Sequence, residues 1–97
     1  MASVELAQAA VEDLDSLIRT HSLPADTRAR VARSLRPLER FPWMGMALEG
    51  RWEGYRVLLG PWRWLLFVYV YIEADDRIVF ATIQDARSAT AATTTGR

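Results

Sequence analysis

The chain has 97 residues, and its 12 basic residues, all Arg, balance 12 acidic residues to a formal net charge of zero. This length holds one domain, and a hydrophobic content of 51% excludes a disordered chain. The absence of Cys excludes disulfides, thiolate metal sites and a cysteine nucleophile, and a single His excludes a histidine pair for acid–base catalysis. We expect no cofactor and no metal site, although a metal held by carboxylates alone stays formally open.

The zero net charge conceals a strong segregation of charges along the chain. Residues 1–26 carry one Arg against five acids, for a net charge of −4, whereas residues 27–63 carry eight Arg against three acids, for a net charge of +5. A basic middle segment indicates an anionic partner, and Arg suits bidentate phosphate contacts better than Lys does. The alternative is that the exclusive use of Arg reflects the base composition of the genome.

The N-terminus and the apolar runs predict where the protein resides. The first 14 residues have no basic start and include Glu5, Glu12 and Asp13, which is unlike a signal peptide. The longest apolar run covers residues 64–72, whereas a membrane-spanning helix needs about 20 residues. We therefore expect a cytoplasmic protein with no membrane partner.

The N-terminal half predicts one short strand followed by two helices. Ser3–Leu6 has the composition of a strand, and apolar side chains then recur at helical spacing over residues 7–20. His21 is expected to cap this first helix. A second amphipathic helix is predicted over residues 24–35, and Pro37 should stop it, because proline removes a helical hydrogen bond and clashes with the preceding turn.

The C-terminal half predicts three strands, over residues 55–59, 64–72 and 77–84. Both faces of the middle strand are apolar, which favours a central strand covered on both sides. The fold class is therefore α+β, with two N-terminal helices packed on a small antiparallel sheet in the order β-α-α-β-β-β. Residues 1–88 form a single domain in this prediction, and residues 89–97 form a flexible tail.

Three motifs lie in order along this chain. Residues 41–50 read Phe-Pro-x-x-Gly-x-x-Leu-x-Gly, Tyr55-Arg56-Val57 begins the next predicted strand, and residues 83–88 read Ile-x-Asp-Ala-Arg-Ser. Together with the order of the elements, these motifs resemble the RelE/ParE family of toxins from type II toxin–antitoxin systems. The resemblance covers residues 4–88.

The resemblance implies one of two activities. RelE-like members are endoribonucleases that cut messenger RNA in the ribosomal A site, whereas ParE-like members inhibit DNA gyrase and are not nucleases. We expect a toxin that is a ribosome-dependent endoribonuclease; the alternatives are a ParE-like gyrase inhibitor and a degenerate relative that only binds a partner. The implied partners are a cognate antitoxin and either the ribosome with its messenger RNA or gyrase, in a homodimer or a toxin–antitoxin hetero-oligomer.

The RelE-like catalytic pattern matches this chain only in part. Arg56 stands at the basic position early in its strand, and Arg87 stands at the position just after the last strand. A second basic position falls on Leu58, and the Arg of the middle strand falls on Leu65, with Arg63 two residues earlier as a substitute. The segment after residue 88 has neither the Tyr nor the His that the family often carries there.

Guanidinium groups suit RNA cleavage without a metal, because they stabilise the charge that gathers on the phosphate during attack by the 2′-hydroxyl. Arg stays protonated, so a base is still needed, and Asp85 or Glu53 are the nearby carboxylates. The predicted catalytic residues are Arg56, Arg63, Asp85 and Arg87. The alternative is that these Arg side chains are solvated residues at strand edges, ion-paired with Asp85 or Glu53.

A second group of residues predicts contacts with nucleic acid or a partner protein. Arg residues on a helix surface follow a phosphate backbone, and exposed Trp side chains stack on bases or anchor protein interfaces. The predicted residues are Arg33, Arg36, Arg40, Trp52 and Trp62. The alternatives are a solvated helix face for the Arg residues and a place in the core for the Trp residues, most of all for Trp64.

Overall fold

A computed structural model describes residues 1–87, so the tail predicted for residues 89–97 lies outside the described residues. Residues 1–87 form five strands, two α-helices and three short 3₁₀ turns. The strands are β1 (Ser3–Leu6), β2 (Met46–Ala47), β3 (Arg56–Leu59), β4 (Leu65–Ile72) and β5 (Arg77–Asp85). The helices are α1 (Gln8–Thr20) and α2 (Thr27–Leu35), and the 3₁₀ turns are Arg36–Glu39, Gly50–Trp52 and Glu73–Asp75.

All five strands form one sheet in the order β1-β5-β4-β3-β2. The predicted α+β class is confirmed, but the sheet is mixed: β1 runs parallel to β5, and the other pairs are antiparallel. The parallel pair arises because the last strand of the antiparallel meander returns beside β1 in the same direction. The sequence also gave no sign of β2, because a strand of two residues is too short to show an alternating pattern.

The second helix begins at Thr27, three residues after the predicted start at Pro24. The intervening residues form a turn, and the Thr27 hydroxyl donates a hydrogen bond to the Pro24 carbonyl at 2.6 Å. The α-helix ends at Leu35, two residues before Pro37, and a 3₁₀ turn follows it. Among residues 1–87, no helix has the length and apolar character needed to cross a membrane.

The main core lies between the helices and one face of the sheet. Phe67, Tyr69 and Phe80 are fully buried there, and the Phe80 ring makes an edge contact with Phe67 and a tilted contact with Tyr69. Leu14 of α1 and Val31 of α2 close the core from the helical side. The other face of the sheet is covered by the loop that precedes β3, which packs its apolar side chains on β3 and β4; these side chains are Leu48, Trp52 and Tyr55.

Strand β5 contains a bulge, and Asp13 of α1 bonds to the residues next to it. Phe80 pairs with Tyr69 and Thr82 pairs with Val68, so Ala81 is the additional residue. The Asp13 carboxylate accepts hydrogen bonds from the Thr82 hydroxyl at 2.6 Å and from the Ile83 backbone N–H at 3.1 Å. This contact joins α1 to β5 beside the bulge.

The buried phenol of Tyr69 holds residues 40–45, which connect the helical part of the chain to β2 and which we call the joining segment. Its hydroxyl donates to the Pro42 carbonyl and accepts from the Gly45 N–H, both at 2.9 Å. Burial raises the pKa of Tyr69, which keeps the hydroxyl protonated as a donor. Gly45 is required at this contact, since a Cβ atom there would lie 2.6 Å from the Tyr69 oxygen.

We predict that Tyr69→Phe lowers the free energy of unfolding by about 1–3 kcal/mol, because it leaves buried backbone groups without a hydrogen-bond partner. Urea denaturation followed by circular dichroism measures the change. Tyr71→Phe is the matched control, since it removes a hydrogen bond between an exposed Tyr hydroxyl and Asp76 and should cost less. Equal losses for the two variants would contradict this account of the anchor.

Candidate functional site

Two of the predicted catalytic residues lie together where β5 ends. The Arg87 guanidinium donates a hydrogen bond to each oxygen of Asp85, from Nε to Oδ1 and from Nη2 to Oδ2, both at 2.9 Å. The Arg87 backbone N–H also donates to Oδ1 at 2.9 Å. These bonds from Arg87 lower the pKa of the Asp85 carboxyl from 3.8 to about 2. Asp85 is therefore ionised at neutral pH and is a weak base.

Aromatic side chains surround this ion pair. The Arg87 guanidinium lies over Trp64 with its Cζ 4.7 Å from the ring centroid, and the His21 ring lies 4.8 Å from the same indole. His21 Nε2 is 3.5 Å from Asp85 Oδ2. The sequence predicted His21 only as a helix cap, and the residue does stand at the C-terminal cap of α1. Its approach to Asp85 joins residues 64 positions apart, so no local pattern revealed it.

A second indole extends this arrangement towards α2. Trp62 stacks on Trp64 with an interplanar angle of 27° and a centroid distance of 6.3 Å. Arg30 of α2 lies over the Trp62 ring at 5.4 Å. We use the name cation–indole cluster for these two indoles together with three neighbouring residues. The cluster consists of His21, Trp62, Trp64, Asp85 and Arg87. Cationic and aromatic groups in this arrangement favour anionic ligands that carry a flat ring.

Arg56 lies far from this cluster. Arg56 pairs with Tyr69 on β4, whereas Asp85 pairs with Leu65, four residues away along that strand. At strand spacings, this separates them by about 13 Å along the strands and about 10 Å across the sheet.

The Arg56 guanidinium is bound to the joining segment. Its Nη1 donates to the carbonyls of Trp43 and Gly45 at 3.0 and 2.7 Å, and its Cζ lies 4.9 Å from the centroid of the Trp43 ring. The contacts that Arg56 makes are therefore those of a residue that holds a loop in place.

The remaining catalytic positions divide between apolar and exposed residues. Leu65 is completely buried and Leu58 packs against the main core, so the two positions where the family pattern expects a basic residue are apolar. Arg63 is exposed in the turn before β4. Glu53, the alternative base, is exposed in the loop before β3. The structure thus brings Asp85 and Arg87 together and leaves Arg56 at a distance.

The predicted partner-binding residues do not form one surface. Arg33 and Trp62 line the same groove beside α2, whereas Arg36 lines a separate groove with Glu39. Arg40 is exposed after the 3₁₀ turn. Trp52 is half-buried on the opposite face of the sheet, and its indole Nε1 has no hydrogen-bond partner among residues 1–87. The loop folds back across that face because β3 and β4 present apolar side chains there.

The chemistry available at the cluster is limited by its residue types. Arg87 supplies a guanidinium that is bonded to both oxygens of Asp85, and His21 supplies an imidazole, which both donates and accepts hydrogen bonds when neutral. Within residues 1–87, no three His, Asp or Glu side chains converge in a way that would hold a metal ion. A phosphate group that bound Arg87 beside the Trp64 indole would compete with the Asp85 carboxylate for the guanidinium.

Comparison with known proteins identifies the fold. A chain of the RelBE2 toxin–antitoxin complex from Mycobacterium tuberculosis superposes with a TM-score of 0.67 and 20% identity, covering 87% of this chain and 96% of that one. A chain of the chromosomal ParDE toxin–antitoxin system from P. aeruginosa gives 0.67 and 15%, covering 90% and 98%. The isolated RelE toxin of E. coli gives 0.64 and 12%, covering 93% and 89%. This chain therefore has the fold of the RelE/ParE toxins, as its motifs predicted.

Comparison by sequence alone finds no match. No family sequence model matches the chain, and no curated protein is significantly similar to it in sequence.

We predict that Arg56→Ala lowers the free energy of unfolding by about 2 kcal/mol, because the guanidinium bonds two backbone carbonyls of the joining segment. Arg63→Ala is the matched control: it removes the same charge from an exposed turn and should change stability by less than about 0.5 kcal/mol. Thermal or urea unfolding measures both. A negligible change in Arg56→Ala would show that these bonds do not hold the loop.

The Asp85–Arg87 pair predicts a pH dependence. Because the pKa of Asp85 is about 2 in the folded chain and 3.8 ordinarily, the pair contributes stability above pH 3.8 that is lost as the pH falls towards 2. Arg87→Gln should raise the Asp85 pKa towards 3.8 and weaken this dependence. Carboxyl ¹³C NMR during an acid titration measures the pKa, and Arg63→Gln should leave it unchanged. A low pKa that persists in Arg87→Gln would assign the shift to another cause.

Proposed function

We propose that this protein is the toxin of a type II toxin–antitoxin module. Its fold matches chains from the RelBE2 and ParDE toxin–antitoxin systems over nearly their whole length. Two motifs that resemble those of this family occur in order along the chain. They are Phe-Pro-x-x-Gly-x-x-Leu-x-Gly at residues 41–50 and Asp-Ala-Arg at residues 85–87. An antitoxin bound to the protein would neutralise it, and induced synthesis without the antitoxin would stop growth.

The proposed activity is cleavage of messenger RNA on the ribosome. The observation that supports it best is the cation–indole cluster, which sets the Arg87 guanidinium beside two stacked indoles and the single His of the chain. Arg87 would turn from Asp85 to the scissile phosphate and stabilise the charge that gathers there in the transition state. His21 would accept the proton of the attacking 2′-hydroxyl while the bond from phosphorus to the 5′-oxygen breaks, and the leaving oxygen would take a proton from water. Asp85 fills the role of base poorly because Arg87 lowers its pKa to about 2.

A second candidate activity is inhibition of DNA gyrase by binding alone. Three positions of the RelE-like catalytic pattern favour it: Leu58 and Leu65 carry no charge, and Arg56 is bonded to backbone carbonyls. A toxin that acts by binding needs none of these positions to be basic. The two candidates therefore differ in whether Arg87 and His21 are chemically required.

Induced expression tests the proposal, and we predict arrest of growth that co-expression of the antitoxin from the adjacent reading frame relieves. Mapping of message ends after induction should show cuts in translated messages, and Arg87→Ala should abolish both the cuts and the arrest. Arg19→Ala is the matched control, because Arg19 is an exposed Arg of α1 outside the cluster. Stability measurements on purified Arg87→Ala separate loss of activity from loss of folding.

Two outcomes would contradict the proposal at different levels. Unimpaired growth during confirmed synthesis of the chain would exclude a toxin of either kind. Arrest with intact messages, together with inhibition of gyrase supercoiling by the purified chain, would replace messenger RNA cleavage by the second candidate.

A further inference from the structure

An open groove lies between α2 and the turn that leads into β4. Its volume is about 410 Å³, and it is lined by Arg30, Arg33, Ser34, Pro61 and Trp62. We call it the α2 groove. This volume falls within the range of roughly 300–1,000 Å³ that is typical of small-ligand sites, so the groove accommodates a group about as large as one nucleotide.

The lining of the α2 groove is cationic. It contains two guanidinium groups and no carboxylate. Arg33 is exposed and makes no ion pair within residues 1–87, so its charge is available to a ligand. Arg30 has a long contact of 3.5 Å from its Nε to Asp26, and its side chain is 45% exposed. A phosphate group is the anion that best matches planar guanidinium donors.

The groove also has a flat aromatic wall. Trp62 forms this wall: its ring stacks on Trp64 at a centroid distance of 6.3 Å, and the Arg30 guanidinium lies over it, 5.4 Å from its centroid. Nucleobases stack on such surfaces regardless of sequence, and Arg beside an aromatic ring adds to the attraction. An acidic protein segment would use the positive charge but would leave the indole face without a matching flat partner.

The α2 groove is continuous with the cation–indole cluster. From Trp62 the stacked indoles lead to Trp64, and the Arg87 guanidinium covers Trp64 at 4.7 Å. A polymer with one base in the groove could therefore extend over the indoles towards Arg87. A free nucleotide would bind in the groove but would be too short to contact Trp64 and Arg87 as well.

We infer that the α2 groove binds one nucleotide of a single-stranded nucleic acid: the base replaces the half-exposed Arg30 guanidinium on the Trp62 ring, and Arg30 and Arg33 hold the adjacent phosphate. That the strand is RNA rests on the proposed function. The groove is a binding subsite, and the chemical step is left to Arg87 and His21. Arg33 and Trp62 thus act together, on a surface separate from those of Arg36, Arg40 and Trp52.

The test measures binding to the purified full chain by fluorescence anisotropy, with a labelled single-stranded RNA of about ten nucleotides and a DNA of the same sequence. Trp62→Ala should weaken RNA binding on the order of tenfold, and Trp62→Phe should restore most of the affinity because it keeps a stacking ring. Phe41→Ala is the matched control, since Phe41 is an aromatic residue that is 63% exposed outside the groove. Circular dichroism confirms that each variant is folded.

Salt dependence tests the phosphate contact separately from stacking. Arg33→Gln should weaken binding and reduce the slope of log affinity against log salt by about 0.7, the value for one phosphate contact on a single strand. Arg19→Gln removes the same charge from α1 and should leave the slope unchanged. Because Arg33 is exposed, its substitution should leave the fold intact.

The inference is overturned if the chain binds no RNA, or if Arg33→Gln and Trp62→Ala bind it as the parent chain does. The proposed function can survive that result, because growth arrest and message cleavage are measured independently of this groove. Conversely, RNA binding that depends on Trp62 and Arg33 in a chain that does not arrest growth would support the groove and reject the toxin proposal. Preference for the DNA over the RNA would reject the RNA assignment and retain the stacking geometry.

Discussion

Strand β4 is covered on both faces, and the rest of the chain is arranged around that requirement. Its residues from Leu65 to Tyr69 are at most 1% exposed, although they alternate between the two faces of the sheet. One face packs under the helices, and the other packs under the loop before β3. Burial of apolar surface is the main favourable contribution to folding, so a strand that is apolar on both sides requires a layer on each. The two helices supply one layer and a loop supplies the other.

The same central strand separates the charged residues into groups with different tasks. At one end of the sheet, Arg56 and the Tyr69 hydroxyl fasten the joining segment through its backbone carbonyls and N–H groups. At the other end, Arg87 pairs with Asp85 beside the two stacked indoles. Both groups use Arg, and each Arg bonds to the chain itself: Arg56 to backbone carbonyls of a loop, and the exposed Arg87 to the Asp85 carboxylate. A charged residue in a family motif thus has a structural or a binding task according to its neighbours.

In the function proposed above, a single strand would lie across the α2 groove and the cation–indole cluster, which share Trp62. The groove contributes the Arg33 guanidinium, which makes no ion pair within residues 1–87, and the Trp62 ring; the cluster contributes Arg87 and His21. This surface is built from α2, from His21 at the end of α1, and from the turns just before β4 and just after β5.

The sequence by itself determined the α+β class, the two helices, the three long strands and the RelE/ParE resemblance. Those features follow from local periodicity, turn residues and motif order, which the chain carries in short segments. It also placed Asp85 and Arg87 together, because they are two residues apart. Tertiary structure alone decided that β1 runs parallel to β5 and that Arg56 holds a loop. It also decided that His21 lies 3.5 Å from Asp85 and that Arg33 and Trp62 line one groove. Each of these depends on contacts between residues far apart in sequence, which packing around β4 brings together and no local pattern encodes.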